Sequence, residues 1–197
     1  MKLKKFYCGK LNENVLMNID EDYKNRIKYL VGNLDGGPWN RKQNKKQESS
    51  ILPNIALYQI LQERGFSKPE SLELVREYSY FQAEKAHKIL KKLFFLPKFQ
   101  KVFRGFMKKG LTGMGFWESE ILSNDAKNFK IDITKCLWHD TCNYFGCDEI
   151  CEIFCSCDHI VFGNIKKMDF IRSQTLGTNG EKCDFLFNFH NNGKTDK

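Results

Sequence analysis

Apolar residues of the first 110 positions recur mostly at three- and four-residue intervals, the spacing of helices with one buried face. "NENVLMNIDEDYKNRIKYLV" reads as one helix with scattered apolar positions. "GNLDGGPWNRKQNKKQESS" holds almost no apolar residue and several Gly and Asn, and it predicts an exposed loop. "SSILPNIALYQILQERG" predicts a helix with Pro53 in its first turn and Gly65 as its stop. The longest helical signal is "SKPESLELVREYSYFQAEKAHKILKKLFF". There Ser67 is placed to cap the start, and Leu72, Val75, Ser79 and Ala83 continue one face. Pro97 interrupts the pattern, and a further helix carries Phe99, Val102, Phe103 and Phe106 on one side.

Beyond Gly110 the period changes. "LTGMGFWESEIL" and "NFKIDITKC" alternate polar with β-branched or aromatic residues and predict strands. The cysteine-rich stretch from Lys135 to His159 predicts two short helices meeting near Gly146. "KMDFIRSQTLG" and "KCDFLFNFH" predict two more strands joined by "GTNGE", and the tail "NNGKTDK" is expected to fray. The fold class is α+β: a helical N-terminal half, then an antiparallel sheet with inserted Cys-rich helices. A single domain over 1–197 is expected, mainly helical over 1–110 and α+β over 111–190.

Composition narrows this picture. At 41% hydrophobic and 14% aromatic, the 197 residues suit a packed globular core rather than disorder. No apolar run approaches the roughly 20 residues of a spanning helix. The basic start "MKLKKFYCGKLNENV" is followed by no apolar signal region, so a cytoplasmic location with reduced thiols is expected. The net charge of +8 is uneven: the first 110 residues hold 23 basic and 11 acidic residues, the remainder 9 and 13. From Lys85 to Gly110 nine Lys/Arg and no acid interleave with Phe94, Phe95, Phe99, Phe103 and Phe106. An anionic partner surface is one reading. The preferred one puts the Phe stripe in the core and the lysines in solvent. No nucleic-acid-binding signature supports a nucleic-acid partner.

Six of eight cysteines fall in the stretch "KCLWHDTCNYFGCDEICEIFCSCDH". Their spacings lack the paired knuckles of structural zinc sites, and Cys147, Cys151 and Cys155 fall at i, i+4 and i+8 along one helix face. A metal held by Cys136, Cys155, Cys183 and His139 is therefore a minor alternative, and no cofactor is expected. Most of the thiols are expected to be buried and structural. In a helix, Cys155, Asp158 and His159 lie within one turn, which sets an acid/base pair beside a sulfur. Cys183 and Asp184 neighbour each other on a predicted strand and so face opposite sides. Arg172 in a largely apolar strand calls for a carboxylate, with Asp158 or Asp184 as its internal partner.

Taken in order, these pieces resemble the L-2-amino-thiazoline-4-carboxylic acid hydrolase family. The matching segments are Cys136 in "KCLWHDTC", Gly146 and Glu149 in "FGCDEIC", Phe154, Cys155 and Asp158 in "FCSCD", Arg172 and Thr175 in "FIRSQTLG", and Cys183, Asp184 and Phe185 in "CDFLF". The resemblance implies a hydrolase that opens a small, carboxylated ring at the carbon between nitrogen and sulfur. It implies Cys155, Asp158 and Cys183 as catalytic candidates. Arg172, Thr175, Asp184, Glu149 and Cys136 become candidates for substrate binding. The alternative is a non-catalytic module holding a small ligand or a metal on the same fold.

Overall fold

A computed structural model of the chain describes residues 3–190, so the tail "NNGKTDK" lies outside the described residues. The fold is α+β, a helical first half followed by a four-stranded antiparallel sheet. The chain divides into two compact units, Met1–Tyr78 and Ser79–Lys197. No helix among the described residues is long and apolar enough to cross a membrane.

The first unit is helical. It holds α1 (Leu3–Tyr7), α2 (Glu13–Leu16), α3 (Ile19–Gly32), α4 (Arg41–Ser50), α5 (Leu52–Glu63) and the start of α6 (Lys68–Leu93). Its centre is α5, where Leu52, Ile55, Ala56, Leu57, Tyr58, Ile60 and Leu61 are all buried. Ser67 and Glu70 form a reciprocal pair at the start of α6: the Ser67 amide donates to Glu70 Oε2 at 2.8 Å, and the Glu70 amide to Ser67 Oγ at 3.4 Å. Two expectations are corrected here. The single helix expected over residues 12–31 is two, because Asn18 takes a left-handed φ of 58° between them. The loop expected over residues 32–50 contains α4, started by a capping box in which Asn40 accepts from Gln43 N while Gln43 accepts from Asn40 N. Its ten residues "RKQNKKQESS" include no apolar side chain, so no periodicity betrays the helix.

In the second unit α6 ends at Leu93, and α7 (Phe99–Gly113) follows an elbow at Pro97 and Lys98. The strands are β1 (Trp117–Asn124), β2 (Asn128–Cys136), β3 (Met168–Ile171) and β4 (Cys183–Phe189), in the order β1-β2-β4-β3. Between β2 and β3 come α8 (Leu137–Tyr144) and α9 (Glu149–Phe162), the two helices expected of the cysteine stretch. Period-two burial runs along β4: Cys183, Phe185, Phe187 and Phe189 are buried. They join Phe129, Ile131 and Ile133 of β2 and Phe103, Met107 and Leu111 of α7 in one core. Leu111 extends the α7 stripe one turn past Met107, so the segment expected to begin a strand there stays helical to Gly113. β3 is also shorter than the expected strand, for a reason that belongs to the site.

Candidate functional site

β4 points Cys183 into the core and Asp184 to the other face of the sheet. The chain between β3 and β4 folds around both. On the outer side, Asp184 Oδ1 accepts the Ser173 and Gln174 amides, each at 2.9 Å, and Oδ2 accepts the Ser173 hydroxyl. Those two amides go to a carboxylate and not to a strand ladder, which ends β3 at Ile171. Burial pushes the Asp184 pKa up, but these hydrogen bonds outweigh it and hold the carboxyl below its ordinary range.

On the inner side, Thr175 caps a short 3-10 turn, Leu176–Thr178, and is 5% exposed. Its hydroxyl donates to Cys155 Sγ at 3.0 Å, and its Oγ1 lies 3.2 Å from Cys183 Sγ. The Thr175 hydroxyl therefore sits between the two sulfurs. The Leu176 amide donates to Cys183 Sγ at 3.4 Å. Cys155 also neighbours Cys151, and Cys151 neighbours Cys142. Cys183, Thr175, Cys155, Cys151 and Cys142 thus form one run of adjoining sulfurs with a hydroxyl set into it.

Neighbouring sulfurs and burial favour the neutral thiols, while the Thr175 hydroxyl opposes the rise at Cys155 and Cys183. The bond to Cys151, then burial, push the Cys155 thiol strongly up. The bond to Cys142 does the same to Cys151. Burial raises Cys183, and it raises Cys157 to about 12 with help from Asp158. Burial also pushes Cys136 up to about 12, although the His139 and Trp138 amides at the start of α8 oppose it. Gly177 makes the arrangement possible, since a Cβ there would stand 2.7 Å from Cys155 Sγ and 3.1 Å from Cys151 Sγ.

Beside the thiols sits a buried ion pair. Arg172, with a side chain 6% exposed, uses Nη1 to donate to Asp158 Oδ2 and to the Cys155 carbonyl, both at 3.0 Å. The sequence calls for a carboxylate partner, and Asp158 is that partner. The Arg172 guanidinium also lies 5.8 Å from the centre of the Phe185 ring. Burial raises the Asp158 pKa to about 7, with the attraction of Arg172 opposing the rise. Its side chain remains one-third exposed, which leaves the carboxyl a path to solvent. His159, the next residue, packs its ring against Phe170 at 5.2 Å.

Cys155, Asp158, Arg172, Thr175 and Cys183 therefore meet on one side of the sheet, and Asp184 lies on the other. Cys136 ends β2 and is electrostatically coupled to Cys155 and Cys183. Glu149 begins α9, six residues and about 9 Å of helix rise before Cys155. His139 is turned to its own neighbours, 3.7 Å from Asp140 and 3.5 Å from Asn143. Among the described residues no three His, Cys, Asp or Glu side chains are grouped so as to hold a metal ion. An open groove of about 550 Å³ lies elsewhere, in the first unit, where Arg26 and Arg64 are paired with Glu63 and Asp22.

Several residues escape sequence reasoning. Cys151, expected only as one of the buried structural thiols, adjoins both Cys155 and Cys142. Asp132, directly opposite Asp184 across β2 and β4, is 9% exposed and paired with Lys182 through Oδ2, and its Oδ1 has no hydrogen-bond partner among the described residues. Its signal was one acid at a polar position of the alternation "FKIDIT". Ser173 carried no signal, because its role depends on where β4 places Asp184.

A family model described as L-2-amino-thiazoline-4-carboxylic acid hydrolase matches residues 44–187, about three quarters of the chain. No curated protein and no solved structure matches.

Proposed function

We propose, from the premise that the chain belongs to the L-2-amino-thiazoline-4-carboxylic acid hydrolase family, that it hydrolyses a small carboxylated heterocycle beside Asp158 and Arg172. The observation that carries this reading is geometric: the Asp158 carboxyl is one-third exposed and bonded at 3.0 Å to an almost fully buried arginine, and burial raises its pKa to about 7. A general acid/base works best with its pKa close to the working pH. In 2-amino-thiazoline-4-carboxylate the ring carbon between nitrogen and sulfur is an amidine-like electrophile. Asp158 takes a proton from water as the oxygen adds to that carbon. It gives that proton to the ring nitrogen. It then takes the adduct's hydroxyl proton as the carbonyl forms and passes it to the ring sulfur or nitrogen as that atom's bond to the carbon breaks. Among the described residues Arg172 gives only Nη1 to protein acceptors, so Nε and Nη2 are assigned to the substrate carboxylate, matching its planar fork.

The thiols fit a different part. Their hydrogen bonding and burial favour the neutral form, which weakens the case for a thiolate nucleophile. Cys155 and Cys183 are assigned to shaping and contacting the substrate, with water as the attacking group. Asp184 holds the Ser173–Gln174 backbone, and through it Thr175.

The test is consumption of 2-amino-thiazoline-4-carboxylate by the purified, reduced protein, followed by mass spectrometry. Asp158→Asn is expected to lower kcat by about 10²–10⁴-fold. Arg172→Lys is expected chiefly to raise KM, and Cys155→Ser to retain most of kcat. Loss of kcat on Cys155→Ser equal to that of Asp158→Asn would restore the covalent mechanism. Turnover unaffected by Asp158→Asn would remove the proposed acid/base.

A further inference from the structure

The helical elbow from Ile89 to Lys109 does not bury its apolar residues as an amphipathic helix of a closed core does. Phe94 and Phe103 are buried. Phe106 is 72% exposed, Phe95 64%, Val102 62% and Leu96 54%, and Ile89 is exposed on the turn before them. Val102 and Phe106 are one turn apart on a flank of α7, and Lys98 and Lys109 stand in line with Val102 at helical spacing. Phe95 and Leu96 project at the elbow, where Leu96 N bonds Leu93 O at 3.0 Å and Phe99 N bonds Leu96 O at 3.4 Å, so these side chains sit on a folded turn. Around them, residues 85–110 contain nine Lys/Arg and no acid.

We propose that this elbow docks the protein on the surface of an anionic phospholipid membrane, with Phe95, Leu96, Val102 and Phe106 entering the headgroup–acyl boundary and the lysines meeting lipid phosphates. Exposed apolar clusters ringed by like charges mark interaction surfaces, and this pairing of apolar insertion with basic contacts is that of interfacial helices. Charge selects the occupant. Arg104 is engaged with Asp125, but a second copy would still set the exposed lysines of this segment against each other. Nucleic acid would satisfy the lysines but leave Leu96, Val102 and Ile89 against polar sugar and phosphate. Anionic lipid meets both halves of the surface at once, and each basic residue close to such a surface adds attraction that salt weakens.

The test is flotation of the full chain with phosphatidylcholine vesicles, with and without phosphatidylserine. Binding is expected only with phosphatidylserine present, and is expected to fall on the order of tenfold between low and high salt. Phe106→Trp should give blue-shifted emission, quenched by brominated acyl chains, above the background of the three native tryptophans. The pair Phe95→Ser with Phe106→Ser, and the set Lys98→Glu, Lys101→Glu and Lys109→Glu, should each lower partitioning about tenfold with melting curves unchanged. These side chains lie on the surface, so their loss leaves the core intact. Absence of flotation with phosphatidylserine at low salt, or flotation indifferent to both sets of variants, would overturn the proposal. A concentration-dependent dimer lost in the serine pair, without lipid binding, would assign the face to a second copy and also overturn it.

Discussion

Asp158 and Cys155 share one helical turn, and both are pushed up in pKa with different chemical consequences. Burial brings the carboxyl up to about 7, where it can exchange protons near neutrality; the bond to Cys151, then burial, moves the thiol away from the range where it would ionise. The Asp158 shift also makes stability depend on pH. Its folded pKa exceeds the unfolded value of about 3.9. The folded state therefore holds a proton that the unfolded state releases. The contribution is full below about pH 4 and is lost as pH rises to about 7. The stability of the wild type minus that of Asp158→Asn is thus expected to fall from pH 4 to pH 7 and level off above. Urea titrations of both proteins across that range will show it; a difference that rises with pH would mean that the pairing with Arg172, not burial, governs the carboxyl. The place of Arg172 was legible because a guanidinium among apolar residues must find an acceptor. The link between Cys155 and Cys183 was not, because Thr175 lies 20 residues from one and 8 from the other.

Elements set these distances. α9 supplies Cys151, Cys155 and Asp158 at helical spacing, β4 supplies Cys183 and Asp184 on opposite faces, and the 3-10 turn closes Thr175 between them. The seat of that turn against α9 depends on Gly177. In Gly177→Ala the added methyl meets the α9 backbone at Cys151 and the sulfurs of Cys155 and Cys151, each on a short side chain with a single torsion and packed neighbours. A loss of about 1–3 kcal/mol is expected, as for other overpacked sites, and equilibrium unfolding will measure it. A neutral result would show that the turn can lift from α9 without cost. Helices read well where apolar positions repeat and badly where they do not. α5 and α6 were evident, whereas α4 rests on a capping box and a sequence with no apolar residue at all.

The whole molecule is two compact units, and α6 runs across the division between them. The family match begins within α4 and ends within β4, while every residue of the proposed chemistry lies in the second unit. All eight cysteines are free thiols, six of them on α9, on α8 or just before these helices, and four of the eight are buried. Protein purified without reductant and then denatured is expected to titrate eight thiols per chain with Ellman's reagent. In the native state, the exposed Cys8 should react ahead of the buried Cys142, Cys147, Cys151 and Cys183. A count of six would show that two of the eight are joined in a disulfide. The basic elbow is another property of this scale. Its charge was plain in the sequence, but the expectation that its phenylalanines all face the core holds for Phe94 and Phe103 and fails for Phe95 and Phe106.

The sequence by itself determined the α+β class, the antiparallel strands, the two cysteine-bearing helices and the family, because each rests on local periodicity or on short motifs in order. It also determined that Cys183 and Asp184 must part, since strand geometry alternates sides with every residue. Only the tertiary structure decided which sulfurs touch, that Thr175 bridges them, that Asp184 ends β3 by taking two of its amides, and that Asp158 is the partner of Arg172. Those outcomes depend on contacts between residues far apart in the chain and on the burial they create. Spacing along a sequence carries no measure of either.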